Sequence, residues 1–158
     1  MTPGLIGIYL QGFQTSGKCV DKAHYRIRYM KSFRPISSKE DIEFKEARPI
    51  LYLNMAAVAS LFNSRNMNAT ANRSNWSTIM SYLKSHSSFL GLKQDRLTIL
   101  LPSGLPDYSI EIVNNEQVRK VKVNRPKALC FDYQQLKKAF GLDLETEVIT
   151  DAQDLENI

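Results

Sequence analysis

The stretch that most restricts the fold runs from residue 54 to residue 124, because its hydrophobic period changes partway along. Met55, Val58, Ala59 and Phe62 fall at i, i+3, i+4 and i+7, the spacing of one helical face, and Asn54 is placed to cap that helix. After a polar break over residues 63–71, Trp76, Ile79, Met80 and Leu83 form a second, clearer helical stripe. Further on the period falls to two. Tyr108, Ile110 and Ile112 alternate with Ser109, Glu111 and Val113, Asn114-Asn115 makes a two-residue turn, and residues 118–124 return as the second arm of a hairpin. Helical and strand periods in separate blocks predict an α+β domain.

The flanks add shorter elements. Residues 5–11 (Leu-Ile-Gly-Ile-Tyr-Leu-Gln) read as a short apolar strand ended by a loop over 12–17. Around residues 23–30, Tyr25, Ile27 and Tyr29 alternate as in a strand, while Val20, Ala23, Ile27 and Met30 also fit a helix. The β-branched and aromatic content favours the strand, whose other face carries His24, Arg26 and Arg28. Arg34-Pro35 closes it, residues 36–46 form a polar connector, and 49–53 make a second apolar run. Gly91 ends a turn around Phe89-Leu90, residues 97–101 read as a strand, and 102–107 as a turn. A last strand over 128–131 leads to Asp132, an N-cap for a helix over 133–140 that packs through Leu136 and Phe140 and stops at Gly141.

Charge is unevenly spread. There are 21 Lys+Arg against 16 Asp+Glu, a net +5, but six of those acids (Asp143, Glu145, Glu147, Asp151, Asp154, Glu156) lie after residue 140, where there is no Lys or Arg. The first 140 residues therefore hold 21 basic against 10 acidic groups, a balance of +11. This predicts a basic body over 1–141 that meets a polyanion, and a flexible acidic tail over 142–158. Cys19 and Cys130 read as reduced, buried thiols rather than a disulfide. Without a basic, apolar leader the expected location is intracellular, so the acceptor-like triplets at Asn68, Asn72 and Asn75 read as by-products of an Asn/Ser-rich stretch. No apolar run approaches the ~20 residues of a membrane span.

The order helix, break, amphipathic helix, strand, hairpin, strand resembles a winged helix-turn-helix domain over about 54–124, preceded by a small β element and followed by a short helix. The resemblance implies that the helix over 72–87 enters a major groove and that the hairpin over 108–124 acts as the wing. Independently of that resemblance, Arg119, Lys120, Lys122 and Arg125 lie within seven residues, and such cations bind nucleic acid by releasing counterions from phosphates. The helix offers Asn72, Arg73, Ser77, Ser81 and Lys84, types that reach phosphates and base edges. A third basic segment over 18–34 contributes Arg26 and Arg28, with Tyr25, Tyr29 and Phe33 as possible stacking surfaces. The expected function is therefore non-catalytic binding of nucleic acid, DNA before RNA, without cofactor or metal. The alternative is a module that docks an acidic protein partner.

One motif points elsewhere. Gly12-Phe13-Gln14-Thr15-Ser16-Gly17-Lys18 has the G-x-x-x-x-G-K spacing of a phosphate-binding loop, but Cys19 stands where a Mg²⁺-holding hydroxyl is required. His24 and His86 have no neighbouring Cys, Asp or Glu at metal-ligand spacing, and Glu40, Asp41, Glu43 and Glu46 read as a solvated connector.

Overall fold

A computed structural model describes residues 3–17, 19–64, 76–144 and 149–150. The fold is α+β, with a five-stranded sheet in the order β3 (Phe89–Gln94), β8 (Lys127–Asp132), β2 (Ile42–Asn54), β1 (Tyr25–Phe33), β9 (Ile149–Thr150). Its centre is β2, which pairs antiparallel with β1 on one side and with β8 on the other. β8 in turn pairs with β3. The helices α1 (Pro3–Thr15), α2 (Met55–Ser64), α3 (Trp76–Ser85) and α4 (Tyr133–Phe140) supply the second layer.

Alternation sorts the strand residues between two faces. Tyr25, Ile27, Leu51, Leu53, Leu129 and Phe131 are buried with Leu10 and Phe13 of α1, Val58 of α2, Ile79 and Leu83 of α3, and Leu136 and Phe140 of α4. The opposite face buries Phe33, Ile50, Tyr52, Ala128 and Cys130, with Met30, Ile42, Phe44 and Leu90 partly buried around them. Both faces of β2 are thus covered along residues 50–53, which explains why this stretch is continuously apolar rather than alternating.

The caps follow the sequence. Asn54 accepts from the Ala57 N–H at 3.3 Å at the start of α2 and donates to the Ala23 carbonyl at 3.0 Å. Asp132 accepts from the Gln135 N–H at 3.5 Å at the start of α4, and Gly141 closes that helix in the left-handed region at φ 65°. The expected stripes hold where side chains are described: Val58, Ile79 and Leu83 are buried, and Met55 and Met80 pack partly against them.

Several expectations are corrected. Residues 5–11 are not a strand but the body of α1, because a short apolar run reads alike as strand or buried helix until its partners are known. The loop-like G-x-x-x-x-G-K spacing consequently begins inside a helix. Three of its backbone N–H groups, those of Ser16, Gly17 and Cys19, are bonded to the carbonyls of Gly12, Gln14 and Phe13 and do not form a phosphate cradle; Lys18 lies outside the described residues. Gly91 does not end a turn. It sits inside β3 at a register shift, with φ 136° and Pro35 against its Cα, a place where a side chain has no room. The strand expected over 97–101 is only β4 (Leu97–Thr98), paired with β7 (Val123–Asn124).

The acidic tail does not detach at residue 142. Leu142 and Leu144 are buried in the main core, Leu144 N–H donates to the Tyr133 hydroxyl at 2.9 Å, and β9 (Ile149–Thr150) pairs in parallel with β1. Apolar residues alternate with the acids there, and their burial extends the domain past Gly141. Residues 145–148 and 151–158 lie outside the described residues, as do residues 65–75, which hold most of the polar break expected over 63–71 and Asn68, Asn72 and Asn75.

Gly7 is the closest fit in the helical layer, since a methyl there would run into the Phe140 carbonyl of α4. We predict that Gly7→Ala costs about 1–3 kcal/mol in urea denaturation by forcing α1 off α4. Gly12→Ala, on the open side of the same helix, should instead be neutral or stabilise by up to about 1 kcal/mol.

Candidate nucleic-acid interface

On the face of the sheet away from the helices, the outward residues of neighbouring strands share one surface. The β1–β2 register sets Arg26 opposite Tyr52, Arg28 opposite Ile50 and Met30 opposite Arg48. On the far side Lys93 of β3 stands opposite Ala128 of β8. After β3 the chain turns at Asp95 and Arg96 and folds back through β4 and β7. Bonds from Asp95 N–H to the Pro126 carbonyl (3.2 Å) and from Thr98 N–H to the Lys22 carbonyl (2.8 Å) hold that segment against the sheet. The two parts enclose a cavity of about 420 Å³ lined by Arg28, Met30, Tyr52, Lys93, Gln94, Asp95, Arg96, Val123, Asn124 and Arg125.

Its wall is organised by one buried ion pair. Arg28 donates through Nε to both carboxylate oxygens of Asp95 (3.2 and 3.1 Å) and through Nη2 to Oδ1 at 2.6 Å. Both side chains are buried, and the guanidinium lies 5.8 Å from the centre of the Tyr52 ring. Asp95 Oδ1 also accepts from the Arg96 N–H at 2.8 Å, and Arg26 donates to the Arg96 carbonyl at 2.9 Å. Lys93 is half-buried, with Nζ 5.3 Å from the Phe33 ring, and Arg125 is exposed at the rim. Four cationic side chains therefore line the cavity against one carboxylate, a net +3 among the described residues.

The ten residues expected to bind nucleic acid separate on this framework. Arg28 and Arg125, 97 positions apart in sequence, line the same cavity, and Arg26 braces its wall. The view of Arg28 as an open strand-face contact is corrected, because its guanidinium is committed to Asp95. Ser77, Ser81 and Lys84 are exposed on α3, in the layer on the other side of the sheet; Arg73 and Asn72 lie outside the described residues. The hairpin cations are partly matched internally. Lys120 lies 3.8 Å from Glu111, Lys122 lies 3.5 Å from Asp107, and Arg119 stacks 4.0 Å from the Tyr108 ring centre. Of the expected stacking rings, Tyr25 and Phe33 are packed in the core. Sequence reasoning missed Lys93, Arg96 and Asp95. Only the run Lys-Gln-Asp-Arg at 93–96 signalled them, and nothing local ties it to Arg28.

Burial holds three titratable groups, Cys19, Cys130 and His24, towards their neutral forms. Burial, reinforced by Asp21, pushes the Cys19 thiol up to about 12. Burial and then Asp95 also raise Cys130, so neither is a thiolate near neutral pH. His24 is buried, accepts the Val20 N–H on Nδ1 at 3.0 Å, and is shifted below its usual value by burial. Among the described residues no three His, Cys, Asp or Glu side chains are grouped to hold a metal ion, and no helix is long and apolar enough to cross a membrane. The chain matches no protein-family model, no curated protein and no solved structure.

Removing one partner of a buried ion pair leaves an uncompensated charge. Asp95→Ala should cost about 3–5 kcal/mol in chemical denaturation, and Arg28→Met with Asp95→Leu together should cost clearly less. Lys93→Ala and Arg125→Ala should each stay within about 0.5 kcal/mol, which would separate the cavity's structural members from those open to a ligand.

Proposed function

We propose that this chain binds nucleic acid without transforming it, and that the cationic cavity on the open face of the sheet is where a phosphate of the ligand is held. The observation that carries the reading is the convergence of Arg28, Lys93, Arg96 and Arg125 around a single carboxylate. Cations gathered in a concave, low-dielectric wall focus their field and concentrate anions. At about 420 Å³ the cavity lies within the range of small-ligand sites, large enough for one nucleotide unit but not for a duplex. A single strand can set one nucleotide there where a duplex cannot, so single strands are preferred to duplexes; the Tyr52 ring is packed against Phe33 and Arg28 and is closed to stacking. The winged-helix mode is the second reading, favoured by the exposure of Ser77, Ser81 and Lys84 along α3.

Anisotropy of labelled single-stranded and duplex oligonucleotides, measured from about 50 to 200 mM salt, tests both. The cavity reading expects a steep negative salt slope and tighter binding of the single strand. It also expects Lys93→Ala with Arg125→Ala to weaken binding about tenfold or more, against a smaller loss for the charge-matched Lys120→Ala with Lys122→Ala. A flat salt slope, or equal losses from the two double variants, would overturn it. Duplex preference with the largest loss at Lys84→Ala would transfer the function to α3.

A further inference from the structure

The hairpin of β5 (Tyr108–Val113) and β6 (Glu116–Val121) is left unused by the cavity. Among the described residues these strands pair only with each other, whereas two-stranded hairpins are marginal in water without a third strand or a packing partner. Asn114 and Asn115, at φ 52° and 65°, form the tight turn, and the register runs from Val113–Glu116 to Tyr108–Val121. One face carries Tyr108, Ile110 and Ile112, with Ile110 67% and Ile112 76% exposed, a costly way to display isoleucine.

The two edges differ. β6 carries Arg119 and Lys120, charges of the kind that keep an edge from pairing, while β5 (Tyr-Ser-Ile-Glu-Ile-Val) carries only Glu111. A two-residue loop closes on a hydrogen-bonded pair, so Val113, Glu111 and Ser109 turn their backbone groups towards β6. The bond from Lys122 N–H to the Asp107 carbonyl has the same parity. Ile112, Ile110 and Tyr108 therefore turn theirs outward.

We propose that this outward edge of β5 pairs with the same edge of a second copy of the chain, antiparallel about a two-fold axis through Ile110. In that register Ile110 faces the second copy's Ile110, Tyr108 faces its Ile112, and Ser109 can donate to its Glu111. The apolar face becomes continuous and no like charges oppose each other. Alternative registers are penalised. A slip of one residue sets Ile110 beside a carboxylate, centring on Glu111 opposes two carboxylates, and centring on Ser109 sets Asp107 against Glu111. This self-complementarity singles out a second copy as the occupant. Five rungs bury less than the ~800 Å² per partner of a standard interface, so the dimer is weak, dissociating at about micromolar concentration.

Sedimentation equilibrium of the full chain, with disulfide trapping, tests the proposal. The wild type should dimerise reversibly, and Ile110→Lys should raise the dissociation constant about tenfold or more while leaving the melting temperature of the exposed-site variant unchanged. Under mild oxidation, Ser109→Cys mixed with Glu111→Cys should give a mixed disulfide dimer, whereas either alone should not, because only opposed residues come within bridging distance. The native thiols are buried and give little background. A chain that stays monomeric, a dimer indifferent to Ile110→Lys, or trapping without regard to position would each overturn the proposal.

Discussion

A guanidinium taken out of water must find a carboxylate, and in this fold Arg28 finds Asp95. The pair joins residues 67 positions apart, the second strand face of β1 to the turn after β3. Once Asp95 is fixed, Arg96 follows by its N–H to the same carboxylate, and Arg26 locks the Arg96 carbonyl. The Asp95 N–H to the Pro126 carbonyl then holds the approach to β8. Together with the Thr98 N–H to the Lys22 carbonyl, the pair positions the β4–β7 segment and with it the cavity wall. Its role is positional: the pair is electrically near neutral, and it sets where Lys93, Arg96 and Arg125 stand.

The charge excess read from composition is distributed differently from what its location along the chain suggested. Arg34 is paired with Asp41 at 2.6 Å, Arg48 with Asp132 at 2.9 Å and Lys137 with Asp143 at 3.4 Å, besides the matched cations of the hairpin. The sequence cluster from Arg119 to Arg125 is divided: Lys120 and Lys122 meet Glu111 and Asp107, Arg119 lies on the Tyr108 ring, and Arg125 goes to the cavity rim. The concentration around the cavity comes from three separate segments, at residue 28, residues 93–96 and residue 125, and is visible only in three dimensions.

What the sequence made legible was local. The Asn54 and Asp132 caps, the Gly141 stop, the Asn114-Asn115 turn, the stripe residues Val58, Ile79 and Leu83, and the burial of both thiols follow from residue type and near neighbours. Residues 5–11 were misread because apolar runs of that length carry no period of their own, and the decisive fact, Gly7 against the Phe140 carbonyl, lies across the domain. Residues 142–144 were misread because acids dominate the composition while the two leucines decide the packing. Half of the site was within reach, in Arg28 and Arg125, but their partners Asp95, Lys93 and Arg96 enter through tertiary register alone.

The proposed function places the ligand in the cavity built around Arg28 and Asp95. The most direct measurement is an amide chemical-shift titration of the full chain with a short single-stranded oligonucleotide. The account predicts saturable shifts concentrated at residues 93–96 and 123–125, which wall the cavity, with residues 77–84 of α3 unmoved. Shifts confined to α3 or to the β5–β6 tip, or none at any ligand concentration, would contradict it.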